Sequence, residues 1–236
     1  MRHFDAVNRL ITIEDCSSRY PVRAIGNAWS REYFDGPFYL FDPPADLPAI
    51  SLVFVQTADG NTGGKDPSAL GGGATDRHLI YEGLSRVAAD AVMAGASSVG
   101  DDAFFTVHHP ELVALRLELG LPRHPAQIVL SRHGRSGSSH RILVSGADRD
   151  SFARLRREHG IQRISCIGGS KAATSLVDAG LVQDIYLTTS AIAGGEPNTP
   201  WYSGTTAPSL SAIVRKREHS SVAPILFEHL AIAPAR

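Results

Sequence analysis

The chain has 236 residues, is 43% hydrophobic and 20% charged, and carries a formal net charge of −1, which suits one soluble folded domain and offers no field to gather nucleic acid or anionic lipid. Two cysteines, Cys16 and Cys166, provide neither a disulfide framework nor a CxxC pair for zinc or redox work. No stretch approaches the roughly 20 apolar residues of a membrane span or a signal-length apolar run at the start, so the expectation is a cytoplasmic chain without nucleic-acid, membrane or metal partners.

Residues 1–48, rich in Pro, Asp and aromatic side chains, read as an arm packed on a core that begins at residue 49. "AISLVFVQ" (49–56) is a continuous β-rich run, a buried strand that delivers the loop "TADGNTGG". From about Thr75 the spacing of Leu79, Ile80, Leu84, Val87 and Ala88 predicts a helix. "DAVMAGASSV" (90–99) predicts a second strand that turns small and polar at Gly95, Ser97 and Ser98. Pro110 opens a helix that stops at Gly120.

"AQIVLSRHGRSG" (126–137) is a strand entering a basic, glycine-containing loop, and "HRILVSG" (140–146) is another strand. "DSFARLRREH" (150–159) predicts a helix capped by Gly160. The strand "RISCI", the helix "SKAATSLVDAGL" and the strand "DIYLTTS" follow. After a loop rich in turn residues, "SLSAIVRKREHS" and "APILFEHLAIA" predict a closing antiparallel hairpin. Strands alternating with helices of 10 to 15 residues imply right-handed crossovers and a largely parallel sheet, with the hairpin at one edge.

In an open α/β sheet, ligands bind beyond the carboxyl ends of the strands. After "RISCI", Gly168 and Gly169 let a backbone approach a ligand, and Ser170 and Lys171 begin a helix whose free N–H groups favour an anion. A dinucleotide pyrophosphate is the expected occupant; the alternative is a tight strand-to-helix turn without a ligand. At the next strand end, Arg132 and Arg135 could fork around an extra phosphate such as the 2′-phosphate of NADP, or be solvated loop arginines. The pattern contains no HExxH and no GxSxG, and "HHP" (108–110) reads equally as surface. Asp101 follows the second strand, where it either faces the pocket or belongs to a solvated turn with Asp102.

Six segments then fall in the order of one family. "TADG" (57–60) stands where that family has an "SLDG" loop, and "AADAVMAGASSV" (88–99) where it has "aDAilvGagTv". "DDAFFTVH" (101–108) matches "DDPxLTvR", and "IVLSRHGR" (128–135) matches "vvLdrxGr". "IGGSKAATSLVDAGLVQDIYL" (167–187) matches "EGGxxLxxxfLxaGLvDEl", and "SAIAGG" (190–195) matches "PxilGG". Over roughly residues 49–232 the chain resembles the C-terminal reductase domain of RibD, in the dihydrofolate-reductase-like superfamily.

The resemblance implies a three-layer α/β fold over 49–236 and a reductase that passes a hydride from NADPH to a small heterocyclic, ribityl-type, imine or unsaturated substrate. Positions matching the family's cofactor contacts are Gly95, Ser98, Ser131, Arg132, Gly168, Gly169, Ser170 and Lys171, with Arg135 beside them. Thr57, Asp59, Ser68, Asp101 and His108 fall on the substrate side, Asp101 and then Asp59 being the proton-relay candidates. It also implies a homodimer paired through sheet edges, the terminal hairpin offering one. Two departures stand out: the glutamate before GG is Ile167, and the arginine ending "LTvR" is His108. Losing a carboxylate and a guanidinium points to a less phosphate-dependent, more apolar substrate than the riboflavin-pathway one. The competing readings are a nucleotide-binding protein of the same fold without reductase activity, and a methyltransferase or other α/β enzyme using the same strand ends.

Overall fold

A run that is apolar on both faces must be covered on both, and residues 49–56 lie in the middle of a sheet with a layer on either side. A computed structural model describes residues 6–64, 67–99, 107–131, 141–219 and 222–233, the side chains of 67 and 68 excepted. In chain order the strands are β1 (Leu10–Asp15), β2 (Val22–Ile25), β3 (Phe38–Phe41), β4 (Ala49–Gln56), β5 (Ala91–Gly95) and β6 (Ala126–Leu130), then β7 (Arg141–Val144), β8 (Arg163–Cys166), β9 (Asp184–Thr189), β10 (Ser209–Glu218) and β11 (Leu226–Ala233). The helices are α1 (Ala28–Phe34), α2 (Gly73–Thr75), α3 (Pro110–Glu118), α4 (Arg149–His159) and α5 (Ser170–Asp178), with a π-helix, Asp76–Leu84, continuing directly from α2.

The main sheet runs β1-β10-β11-β9-β4-β8-β5-β6-β7, with β2 and β3 forming a separate ribbon. From β9 to β7 every neighbouring pair is parallel, and β11, β10 and β1 are antiparallel. The expected largely parallel three-layer α/β architecture with a C-terminal hairpin is therefore present. After β5, β6 and β7 step outward, β8 returns between β4 and β5, so the ends of those three strands face one crevice.

Alternation along the strands sorts the core into two layers. Ile50, Leu52, Phe54, Met93 and Ile164 pack against Phe152 and Leu155 of α4 and Ala173 and Leu176 of α5. On the opposite face Val53, Tyr186 and Phe227 meet Leu79, Ile80 and Leu84 of the π-helix, with Phe34, Phe38 and Leu112. Full burial of each such apolar side chain contributes about 1.5–3 kcal/mol.

Three features depart from the sequence pattern. Residues 10–15, expected within a packed arm, pair with β10 as a strand of the main sheet, while α1 and the β2–β3 ribbon build part of one layer. The hairpin expected at an edge is consequently covered: β10 has β11 on one side and β1 on the other, and the outer strands are β1 and β7. The helix expected from Thr75 takes π geometry from Asp76 to Leu84, which closes i→i+5 rather than i→i+4 bonds and is rare beyond single turns.

Among the described residues, no helix is long and apolar enough to cross a membrane, and no group of His, Cys, Asp and Glu could hold a metal ion.

Candidate functional site at the carboxyl ends of β4, β8 and β5

The turn from β8 to α5 is made by two glycines in the left-handed half of backbone space, Gly168 at φ 120° and Gly169 at φ 26°, where other residues are strained. It is clamped to β5: the Gly95 amide donates to the Gly168 carbonyl at 3.2 Å, and the Ile167 amide to the Met93 carbonyl at 2.9 Å. A Cβ on Gly169 would lie 2.9 Å from Ser98 Oγ, and one on Gly95 would sit 3.4 Å from Ala172 Cβ. The sequence-predicted residues Gly95, Ser98, Gly168, Gly169, Ser170 and Lys171 are thus brought to one place.

The start of α5 differs from that of α4. In α4 the Asp148 carboxylate caps the helix by accepting from the Ser151 amide at 2.8 Å. At α5 the N-cap is Gly169, which has no side chain to offer, so the first-turn amides at Ser170 and Lys171 have no helical acceptor. With Lys171 exposed beside them, these amides suit an anion. Ser131 follows β6, beside the end of β5; it is 7% exposed and its amide donates to the Val144 carbonyl at 2.9 Å. Cys166 lies beneath the turn, its thiol pushed up to about 11 by burial; it is a core residue, not a nucleophile.

Thr57 and Asp59, expected on the substrate side, are bound up in a clasp between two loops. Thr57 is fully buried, and its hydroxyl donates to Asp59 Oδ1 at 2.5 Å. The same oxygen accepts from the Gly194 amide at 3.1 Å, while Asn61 Nδ2 donates to Asp59 Oδ2 at 3.1 Å and to the Gly194 carbonyl at 2.9 Å. The "TADG" and "SAIAGG" segments are therefore stapled together. Hydrogen bonds from the Thr57 hydroxyl and then the Gly194 amide hold the Asp59 carboxyl below the usual carboxylate range, which favours the ionised form over proton donation.

His108 ends the connection from β5, its ring exposed and its amide donating to Glu82 Oε2 at 3.0 Å. The His109 amide donates to the same oxygen at 2.9 Å, and His78 Nδ1 lies 3.3 Å from Glu82 Oε1. Burial alone would raise the Glu82 carboxyl; the His78 hydrogen bond and the two amides outweigh it and hold the carboxyl low. Asp101, Arg132, Arg135 and the Ser68 side chain lie outside the described residues.

Nothing in the sequence pattern marks Asp76 as a site residue. As the first residue of the π-helix, it sits against Gly72, to whose carbonyl its amide donates at 3.2 Å. Its carboxyl lies beside Thr188, near the end of β9, and is pushed up to about 6 by desolvation, which the threonine only partly offsets. The Thr188 hydroxyl, 0% exposed, faces the Asp76 carboxyl, and the Ser190 hydroxyl, 3% exposed, has no hydrogen-bond partner. Thr188 is in register with Val55 of β4, and β8 flanks β4 on the other side, so two strand spacings, about 10 Å, separate this pair from the glycine turn. Asp76, titrating at about 6, thus sits at the carboxyl edge of the sheet on the π-helix side, and the anion-ready turn on the α5 side.

The RibD C-terminal domain family has a sequence profile that matches residues 48–222. No curated protein sequence matches the chain. Among solved structures, a pyrimidine reductase-like protein from Corynebacterium diphtheriae is similar at TM-score 0.62 and 15% identity, over 80% of this chain and 93% of that one. RibD of Acinetobacter baumannii is similar at TM-score 0.62 and 13% identity, over 80% of this chain and 59% of that one. A diaminohydroxyphosphoribosylaminopyrimidine deaminase/5-amino-6-(5-phosphoribosylamino)uracil reductase from Thermotoga maritima follows at TM-score 0.55 and 18% identity, over 79% and 57% of the two chains. At these identities the likeness is one of fold, and the present chain spans less than two thirds of the last two proteins.

Proposed function

Because the chain belongs to the RibD C-terminal domain family, we propose that it is an NADPH-dependent reductase of a small heterocyclic substrate, pyrimidine- or pteridine-like. The observation that carries this reading is the uncapped Gly168–Gly169 turn. A Cβ at Gly169 would strike Ser98, and the amides at the start of α5 lack a side-chain cap, so the residues present fit a pyrophosphate. Gly168, Gly169, Ser170 and Lys171 would hold it, with Gly95, Ser98 and Ser131 along the adjoining strand ends, and Arg132 and Arg135 assigned to the 2′-phosphate. NADPH, when bound, supplies the hydride.

The chain's own residues have the remaining tasks: orienting the substrate, excluding water and managing one proton. Asp76, whose carboxyl titrates near 6, is the group suited to holding a proton close to neutral pH. Asp101 keeps its assignment as a second relay residue, and Ser68 and His108 theirs as substrate contacts. Asp59, occupied by Thr57, Asn61 and Gly194, positions the loop. With Ile167 and His108 in place of a glutamate and an arginine, the substrate is less acidic and less phosphate-dependent than a ribityl phosphate. Two copies pair through an outer strand, β1 or β7, since β10 is already covered on both sides.

Melting curves with NADPH and with NADH, followed by NADPH absorbance over pterins, pyrimidines and unsaturated carbonyls, test the proposal. It expects a larger upward shift with NADPH and oxidation with at least one substrate. Stabilisation without oxidation would favour a nucleotide-binding protein; stabilisation by S-adenosylmethionine instead of NADPH would overturn the reading altogether.

A further inference from the structure

Towards the amino ends of β4 and β8, the face that packs the π-helix becomes polar. Ser51 and Ser165 lie side by side in register on these strands, and alternation puts Arg163 on the same face. A narrow cleft opens above them, bounded by Leu40 and Phe41 of β3 and by Leu84 and Ala88 beyond the sheet. It lies about 10 Å down β8 from the glycine turn, on three residues' rise, and belongs to no part of the crevice described above. Its enclosed free space of about 20 Å3 suits one water molecule or a compact ion of similar size.

Two donors at this cleft lack acceptors. Ser165 is 1% exposed and its hydroxyl has no partner; Arg163 Nε is likewise buried without one. Such groups are ordinarily satisfied in folded proteins, so both call for an acceptor in the space they share. The charges nearby indicate its sign. Arg163 Nη2 reaches Asp42 Oδ1 at 3.4 Å, but that aspartate side chain is 71% exposed and its pairing correspondingly screened. Asp90 Oδ2 is taken by the amides of Gln162 and Arg163, each at 2.8 Å. Desolvation, and next the neighbouring positive charge of Arg23, lower the Arg163 pKa, so the charged guanidinium is under-compensated.

We propose that this cleft is an anion site for a compact monoanion of chloride or formate size, held by Arg163 Nε and Ser165 Oγ under the β2–β3 ribbon. The anion neutralises the guanidinium and ties the ribbon to the sheet, independently of any dinucleotide. Larger carboxylates are excluded by Leu40, Phe41 and Leu84.

Chloride-NMR line broadening on the full chain tests the site, with formate as competitor. The wild type is expected to give excess linewidth that formate displaces. Ser165→Ala should weaken chloride about tenfold, the loss of one hydrogen bond to a charged group, and Arg163→Gln should abolish the signal. Lys171→Ala, at the glycine turn, should leave the Arg163-dependent part of the linewidth unchanged, which separates this site from the cofactor reading. Absence of excess linewidth in the wild type, or equal linewidth in wild type and Ser165→Ala, would overturn the proposal and leave the cleft to water. Should Arg163→Gln fail to fold, Ser165→Ala and Ser165→Val, which fills the floor, decide the matter.

Discussion

Gly169 leaves no room for a side chain beside Ser98: a Cβ on the glycine would stand 2.9 Å from the serine hydroxyl oxygen. No real Cβ contact is that short, and the φ of 26° at Gly169 is itself unfavourable for a side chain. The Gly95 amide, donating to the Gly168 carbonyl at 3.2 Å, ties the anion-ready turn to the end of β5, so the two halves of the proposed cofactor site are held together.

Gly169→Ala is expected to weaken NADPH binding at least about tenfold and to cost roughly 1–2 kcal/mol of stability. Adding Ser98→Ala should recover part of the melting temperature by removing the clash, without restoring affinity. Calorimetric titration of both variants checks this; wild-type affinity in Gly169→Ala would remove the turn from the cofactor site.

Asp76 should betray its role by opposing effects on stability and activity. Its folded pKa of about 6 lies above the ordinary 3.8, so the folded chain keeps a proton that the unfolded chain has lost between those values. Stability from this group is therefore greatest at acid pH and falls as pH rises through about 4 to 6. At pH 7, Asp76→Asn should raise the melting temperature by about 2–4 °C while lowering kcat/KM about a hundredfold and erasing a limb near pH 6 from the rate profile. Asp59→Asn should leave that limb in place and raise KM through a looser loop. A limb that persisted in Asp76→Asn would reassign the proton.

Lys216 gives a second, independent pH signature. It is 2% exposed, donates to Thr12 Oγ1 at 2.7 Å and to the Asp35 carbonyl at 3.0 Å, and has a pKa lowered to about 8 by desolvation. Between about 8 and its ordinary 10.5 the unfolded chain binds the proton that the folded chain has released, so this group's contribution to stability increases with pH there. Urea unfolding of wild type against Lys216→Met should show a difference that changes by about 2 kcal/mol from pH 7.5 to 10. A difference independent of pH would mean that the lysine is not held as described.

Glu82 holds the segment entering α3. Glu82→Ala leaves the amides of His108 and His109 and the buried His78 without their acceptor, and is expected to cost about 2–4 kcal/mol. Glu82→Gln, which keeps an acceptor for the amides, should cost less. Thermal melts of the two variants compare them directly.

The glycine turn was legible because its chemistry is local: a β-rich run, two glycines and a helical pattern fix a strand, an open turn and a helix start without reference to the rest of the chain. Gly95 and Ser98 were legible for the same reason, lying just beyond a strand. Asp59 was singled out by the family resemblance, yet its carboxylate is consumed by Gly194, which arrives from a loop far along the chain. Asp76 passed unnoticed because an acid in a first helical turn ordinarily complements the helix dipole. The π geometry was hidden as well, since Leu79, Ile80 and Leu84 fit an ordinary helical stripe.

By itself, then, the order of residues determined the parallel α/β layering, the closing hairpin and the anion-ready start of α5, because short-range periodicity and glycine placement dictate them. Tertiary structure alone decided that β1 covers β10, that Asp76 is half-buried beside Thr188, and that Lys216 ends under α1. Each depends on which distant strands become neighbours, and desolvation, which shifts the titrations of both Asp76 and Lys216, exists only once those strands have met.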